Sequence, residues 1–227
     1  MNARLLFACL ALALAAIPAQ AQRFHRLESA VMLKSAAPDW DYVTLDAARG
    51  YLFIARRGEG VVVYDVKSKK VVRTLENSHD ANAITLVPEF DRGYSTNGDG
   101  TTTAFQLSTL KTIVRIKFGE DADAAFYEPV TKQIAFTMGD SQKIAFLDAK
   151  SGKPVGELAI ESKKLDGTAA DGEGNLLRAL RDRNAVVKID VATRRLSAQW
   201  KTEGCEQPTG LAYDEANKRV FVGCRGN

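Results

Sequence analysis

Five residues sit at one recurring place in the chain and carry its main candidate for chemistry: Asp41, Asn82, Asp123, Asp166 and Gln207. The first three recur at one constant step, and the last two follow at nearly the same interval. Each opens a strand-like run. Carboxylate and amide oxygens converging from several strands lower the cost of dehydrating a cation. The chemistry they suggest is a shallow site for a divalent cation, or for a polar ligand with a positive group. The plainer reading is that polar residues at strand starts satisfy backbone groups and keep a channel wet. Arg56, Arg57, Asp99, Asp140, Arg181, Arg183 and Arg225 fall in hairpins just outside, and Arg56 and Arg181 are counted with the site.

Other combinations that suggest chemistry resolve into structure. Asn97-Gly98-Asp99-Gly100 resembles the start of a calcium loop, but Thr102 and Ser108 stand where its sixth-position Gly and twelfth-position Glu belong. A phosphate loop would need a Gly-Lys-Ser/Thr and a following helix. What remains is a tight hairpin turn whose Gly and Asn/Asp supply positive φ. The two histidines, His25 and His79, lie outside any HExxH, and the chain has no CxxC and no Gly-x-Ser-x-Gly. His79-Asp80 and Glu120-Asp121 read as solvated loops, and Trp40 and Trp200 as packing residues.

The elements that position these residues show in an internal repeat. GVVVYDVKSKKVV, TTTAFQLSTLKTI, QKIAFLDAKSGKPV and AVVKIDVATRRLS superpose, each a strand, a polar turn and a second strand. Tyr64-Asp65, Phe105-Gln106, Leu147-Asp148 and Ile189-Asp190 keep a step of about 42 residues, as do Lys70, Lys111, Lys153 and Arg195. A second pair of short strands precedes each, as in YVTLDAARGYLFIA and GLAYDEANKRVFVG. Four short strands per unit at such a period are the signature of β-propeller blades. The expected fold is all-β, with four-stranded antiparallel blades at about 39–80, 81–121, 122–164 and 165–206 and an incomplete one at 207–227.

DWDYVTLD, VPEFDRGYSTNGDGT and above all CEQPTGLAYDEANKRVFVGCRGN carry a resemblance to the bacterial YncE-like proteins of the YVTN-repeat β-propeller family. It covers nearly all of the chain after the leader. It implies a secreted or periplasmic propeller of about seven blades and no catalytic residues to carry over. Against about seven blades, the chain holds about four and a half, which reads as a truncated product missing roughly 100 residues. Residues 22–38 are then an N-terminal segment whose Glu28 to Lys34 would form the outermost strand of the last blade.

Residues 1–21 read as a secretory signal peptide: Arg4, an apolar run, then Ala19-Gln20-Ala21. The run is too short to span a bilayer, and no stable membrane insertion is expected after cleavage. Cleavage removes one of 31 basic residues and none of 28 acidic ones, so the formal charge falls from +3 to +2. So balanced a surface predicts no nucleic-acid partner.

Two cysteines remain, Cys205 and Cys224, separated by about the length of one hairpin. In an oxidising compartment they are expected to pair, with one in the loop entering the fifth blade and the other ending that blade's second strand. The alternative is two free thiols with a metal or redox role.

Two functions follow. One is a periplasmic or secreted, non-catalytic propeller that binds an unidentified small ligand or protein partner. The other is a metal-assisted hydrolase of the lactonase type, using oxygens around the channel mouth.

Overall fold

The computed structural model describes residues 26–35, 39–138 and 141–226. The leader read over 1–21 and the hairpin residue Asp140 lie outside the described residues. Among the described residues eighteen strands succeed one another. β1 (Trp40–Asp46), β2 (Tyr51–Arg56), β3 (Gly60–Asp65) and β4 (Lys70–Thr74) form the first sheet. The second holds β5 (Ala81–Val87), β6 (Arg92–Asn97), β7 (Thr101–Gln106) and β8 (Thr112–Lys117). β9 (Ala122–Glu128), β10 (Gln133–Met138), β11 (Lys143–Asp148) and β12 (Pro154–Ala159) make the third. The fourth is β13 (Leu165–Ala170), β14 (Asn175–Leu180), β15 (Ala185–Asp190) and β16 (Arg195–Lys201). β17 (Pro208–Asp214) and β18 (Arg219–Cys224) pair as a two-stranded sheet. Every pairing is antiparallel and joins chain neighbours, so each sheet is an up-and-down meander.

Burial explains the sequence pattern. The middle strands lie between neighbouring sheets and are apolar on both faces, as in Phe53-Ile54-Ala55 and Ala185-Val186-Val187, all buried. Phe53, Val63, Ile84 and Phe105 pack between the first and second sheets. Tyr94, Phe136 and Leu147 do so between the second and third, and Phe146, Leu176 and Ile189 between the third and fourth. β4 is exposed throughout. Trp40 and Trp200, expected to pack, are 65% and 50% exposed. Trp40 stands at the very start of β1, and Trp200 lies on the outermost strand of the fourth sheet.

The repeated acids at the ends of third strands close turns. Asp65 accepts the amides of Lys67 and Ser68, Asp148 that of Ser151 and Asp190 that of Thr193. Residues 26–35 have no regular secondary structure, and among the described residues there is no further sheet for the strand expected over 28–34 to join. Among the described residues no helix is long and apolar enough to cross a membrane.

Candidate functional site

At the start of every first strand the register with the second slips by one residue. The slip lies between Trp40 and Val43, Ala81 and Ala83, Leu165 and Thr168, and Pro208 and Gly210, and opposite Thr137/Met138 it leaves Asp123 unmatched. Such a bulge adds one residue to the strand and re-aims its side chain. Asp41, Asn82, Asp123 and Asp166 occupy the bulge of successive sheets. In the fifth sheet the bulge holds Thr209, not Gln207. Gln207 precedes the strand with φ 52° and takes part through its backbone, its carbonyl accepting the Arg225 amide.

The hairpin arginines divide. Arg57 donates to the Asp41 carboxylate at 2.7 Å, and Arg181 reaches Asp166 at 3.5 Å. Arg56 is buried and turned away from the bulge, 3.4 Å from Glu59 and 3.5 Å from the Lys34 carbonyl. The arginine beside the bulge of the first sheet is therefore its neighbour, Arg57. Asp99 is a turn acceptor for the amide and hydroxyl of Thr101 and for Arg115. With Gly100 at φ 80°, the Asn97–Gly100 stretch is the tight turn expected.

One residue that sequence reading missed is Arg178 on β14. It interrupts an apolar strand, NLLRAL, at the place where earlier repeats have Ile54, Ser95 and Phe136. That interruption was the available signal. The side chain is 2% exposed. One Nη donates to the Thr168 hydroxyl, the guanidinium stands over the Phe126 ring, and Nε has no acceptor. Burial pulls its pKa down to about 10, opposed by Asp123, Asp166 and Tyr42. Asp123 is pushed up, first by burial and then by Asp121, Asp41 and Asp166, while Arg178 holds it down. Tyr42 is raised by burial and by the same three bulge carboxylates, Asp123, Asp166 and Asp41. Asp41, Asp123 and Asp166 thus share one electrostatic neighbourhood, with Arg178 buried beside it.

Below this rim the first strands of sheets one to three line a cleft of about 570 Å³. Its walls are mainly apolar and aromatic, with Tyr42, Ile84, Phe126 and Tyr127 prominent. Two threonines stitch neighbouring sheets across it: Thr44 donates to the Ile84 carbonyl at 2.8 Å, and Thr85, one repeat on, donates to that of Ala125 at 2.5 Å. Asn82 donates through Nδ2 to the Ala122 carbonyl at 3.0 Å, while its buried Oδ1 has no donor. Among the described residues no three His, Cys, Asp or Glu side chains converge to hold a metal ion. The bulge carboxylates stand there as a spread rim and not as a chelating cluster.

Cys205 and Cys224 form a disulfide, with Cα atoms 5.4 Å apart, tying the entry of β17 to the end of β18. The pairing expected from sequence is the one present.

A solved structure titled Kuenenia stuttgartiensis Hydrazine Synthase superposes on the chain with a TM-score of 0.71 and 18% identity, over 85% of this chain. The fold is of the β-propeller type. The likeness at that identity concerns the fold alone, and this chain spans 57% of the length of that one. No protein-family model matches the sequence, and no curated protein does.

Proposed function

We infer that this propeller-type chain is a non-catalytic binding scaffold of a secreted or periplasmic compartment, akin to the YncE-like proteins of the YVTN-repeat family. The observation that carries the reading is the row of bulges. Four sheets each carry a polar residue at the bulge that opens the first strand, and three of these, Asp41, Asp123 and Asp166, share an electrostatic neighbourhood with the buried Arg178 nearby. Bulges recur beside functional sites because they direct side chains out of the regular pleat. The cleft under the rim is concave and apolar with few polar groups, the usual make-up of a small-ligand site. The disulfide and the leader-like segment 1–21 support export.

The test is fractionation of the full chain with its leader, followed by thermal shift and lactone-hydrolysis assays with Ca²⁺, Zn²⁺ or EDTA. A processed protein recovered outside the cytoplasm, with a melt unmoved by metals and no turnover, is expected. Metal-dependent stabilisation with metal-dependent turnover would replace the scaffold by a hydrolase, since a bound ion stabilises by mass action.

A further inference from the structure

We propose that the cleft lined by the first strands of sheets one to three binds a neutral, mainly apolar small molecule, laid against the rings of Tyr42, Phe126 and Tyr127 and the small side chains of Ala48, Ala83 and Ala125. This rests on the binding-scaffold reading and names the ligand class.

The first argument is that the cleft offers no unpaired charge. Among the described residues no Lys, Arg or His lines it. Its one carboxylate, Asp46, is buried and already accepts the Arg49 amide at 3.1 Å and the Arg49 guanidinium at 2.9 Å. The hydroxyls of Thr44 and Thr85 are committed to the Ile84 and Ala125 carbonyls, and that of Tyr127 to Glu89. Tyr42, the remaining hydroxyl, is 53% exposed and open to solvent. An ionic ligand entering here would give up its hydration and meet no counter-charge, which is costly. A neutral apolar body has no such cost and gains by leaving water.

The second argument separates a small molecule from a peptide. A peptide that adds a strand needs free backbone groups along a sheet edge. β5 and β9 stand at the edges of their sheets, but their backbone is partly taken. The carbonyls of Ile84, Ala122, Asp123 and Ala125 accept Thr44, Asn82, Thr96 and Thr85 of the preceding sheet. What the cleft offers is therefore side-chain surface, ring and methyl, and not a ladder. Its volume of about 570 Å³ falls within the roughly 300–1,000 Å³ of small-molecule sites.

Two fluorescent probes of one skeleton test this on the full chain without its leader: neutral N-phenyl-1-naphthylamine and its charged counterpart 8-anilinonaphthalene-1-sulfonate. The neutral probe is expected to half-saturate at or below ~10 μM and the sulfonate to bind at least roughly tenfold more weakly. Ala48→Trp, at an exposed lining position, should weaken the neutral probe roughly tenfold or more. Leu45→Lys, at a lining position 57% exposed, should weaken the neutral probe and strengthen the sulfonate, a reversal that misfolding would not produce. Phe221→Ser, at an exposed apolar position outside the lining, should change neither. Tighter binding of the sulfonate by the unmodified chain, no binding of the neutral probe, or binding indifferent to both cleft variants would overturn the inference. So would a neutral-probe affinity that falls as protein concentration rises, which would give the cleft to a second copy of the chain. Each of these outcomes leaves the scaffold reading standing, since its own failure shows as metal-dependent turnover.

Discussion

The guanidinium carbon of Arg178 lies 5.9 Å from the centre of the Phe126 ring, joining the fourth sheet to the third through a charge 2% exposed. Such a group is tolerated because Thr168, the ring and two nearby carboxylates compensate it. Arg178→Ala removes this charge from beside Asp123 and Asp166 and opens a cavity between sheets. It should cost about 3–5 kcal/mol in denaturant unfolding. Arg178→Met keeps most of the volume and should lose less. Equal losses would show that charge, not packing, dominates.

Asp123 and Asp148 should act oppositely on acid stability. The Asp123 carboxyl is raised, chiefly by burial, so the folded chain holds its proton more tightly than the unfolded one. Its contribution falls as pH rises from the unfolded value, about 3.9, through the folded one. Asp123→Asn is therefore expected to melt higher than wild type at neutral pH, with the difference gone below about pH 4. Asp148 is lowered by the Ser151 hydroxyl and amide. Its stabilisation is present above the unfolded pKa and lost as pH falls through the folded one, so Asp148→Asn should flatten the acid limb of the curve. Melting temperatures across pH 3–8 read both.

Gly100 combines a φ of 80° with a backbone that leaves no room: an added Cβ would come within 2.0 Å of the Gly119 carbonyl oxygen. Gly100→Ala should destabilise by at least ~2 kcal/mol, from positive-φ strain and overpacking together. Asp99→Ala, which loses only turn contacts and an exposed pair with Arg115, should cost less. Urea unfolding of the two variants gives the comparison.

Removing the disulfide with Cys205→Ser and Cys224→Ser together should cost about 3 kcal/mol by the chain-entropy account of a loop of this size. The loss should be local, because β17 and β18 form a two-stranded sheet. Amide exchange is expected to quicken over β17 and β18 and stay slow in β6 and β10.

The chain from residue 22 to its last residue should self-associate. Trp40, Leu45 and Phe221 are each more than half exposed, and among the described residues β18 pairs only with β17. Light scattering during gel filtration should show oligomers whose size falls when Trp40→Ser and Leu45→Ser are combined. A compact monomer at all concentrations would contradict this.

The spacing of apolar runs and turn residues was enough to determine the strands, their grouping in fours and the hairpin at Asn97–Gly100. These depend on local periodicity and on positive-φ positions, both written in neighbouring residues. The cysteine pairing was legible for a related reason, since a strand, a turn and a return strand bring Cys205 and Cys224 together. Only the tertiary structure decided which polar residues meet. A one-residue bulge shifts a strand's register without a sequence signature, so Thr209 rather than Gln207 fills the fifth place. Arg56 and Arg57 are neighbours in sequence, yet one points to Glu59 and the other to Asp41. Arg178 acquires its role from Phe126, more than one repeat away in the preceding sheet. Side-chain direction and long-range charge are set by how sheets pack, and no repeat period records them.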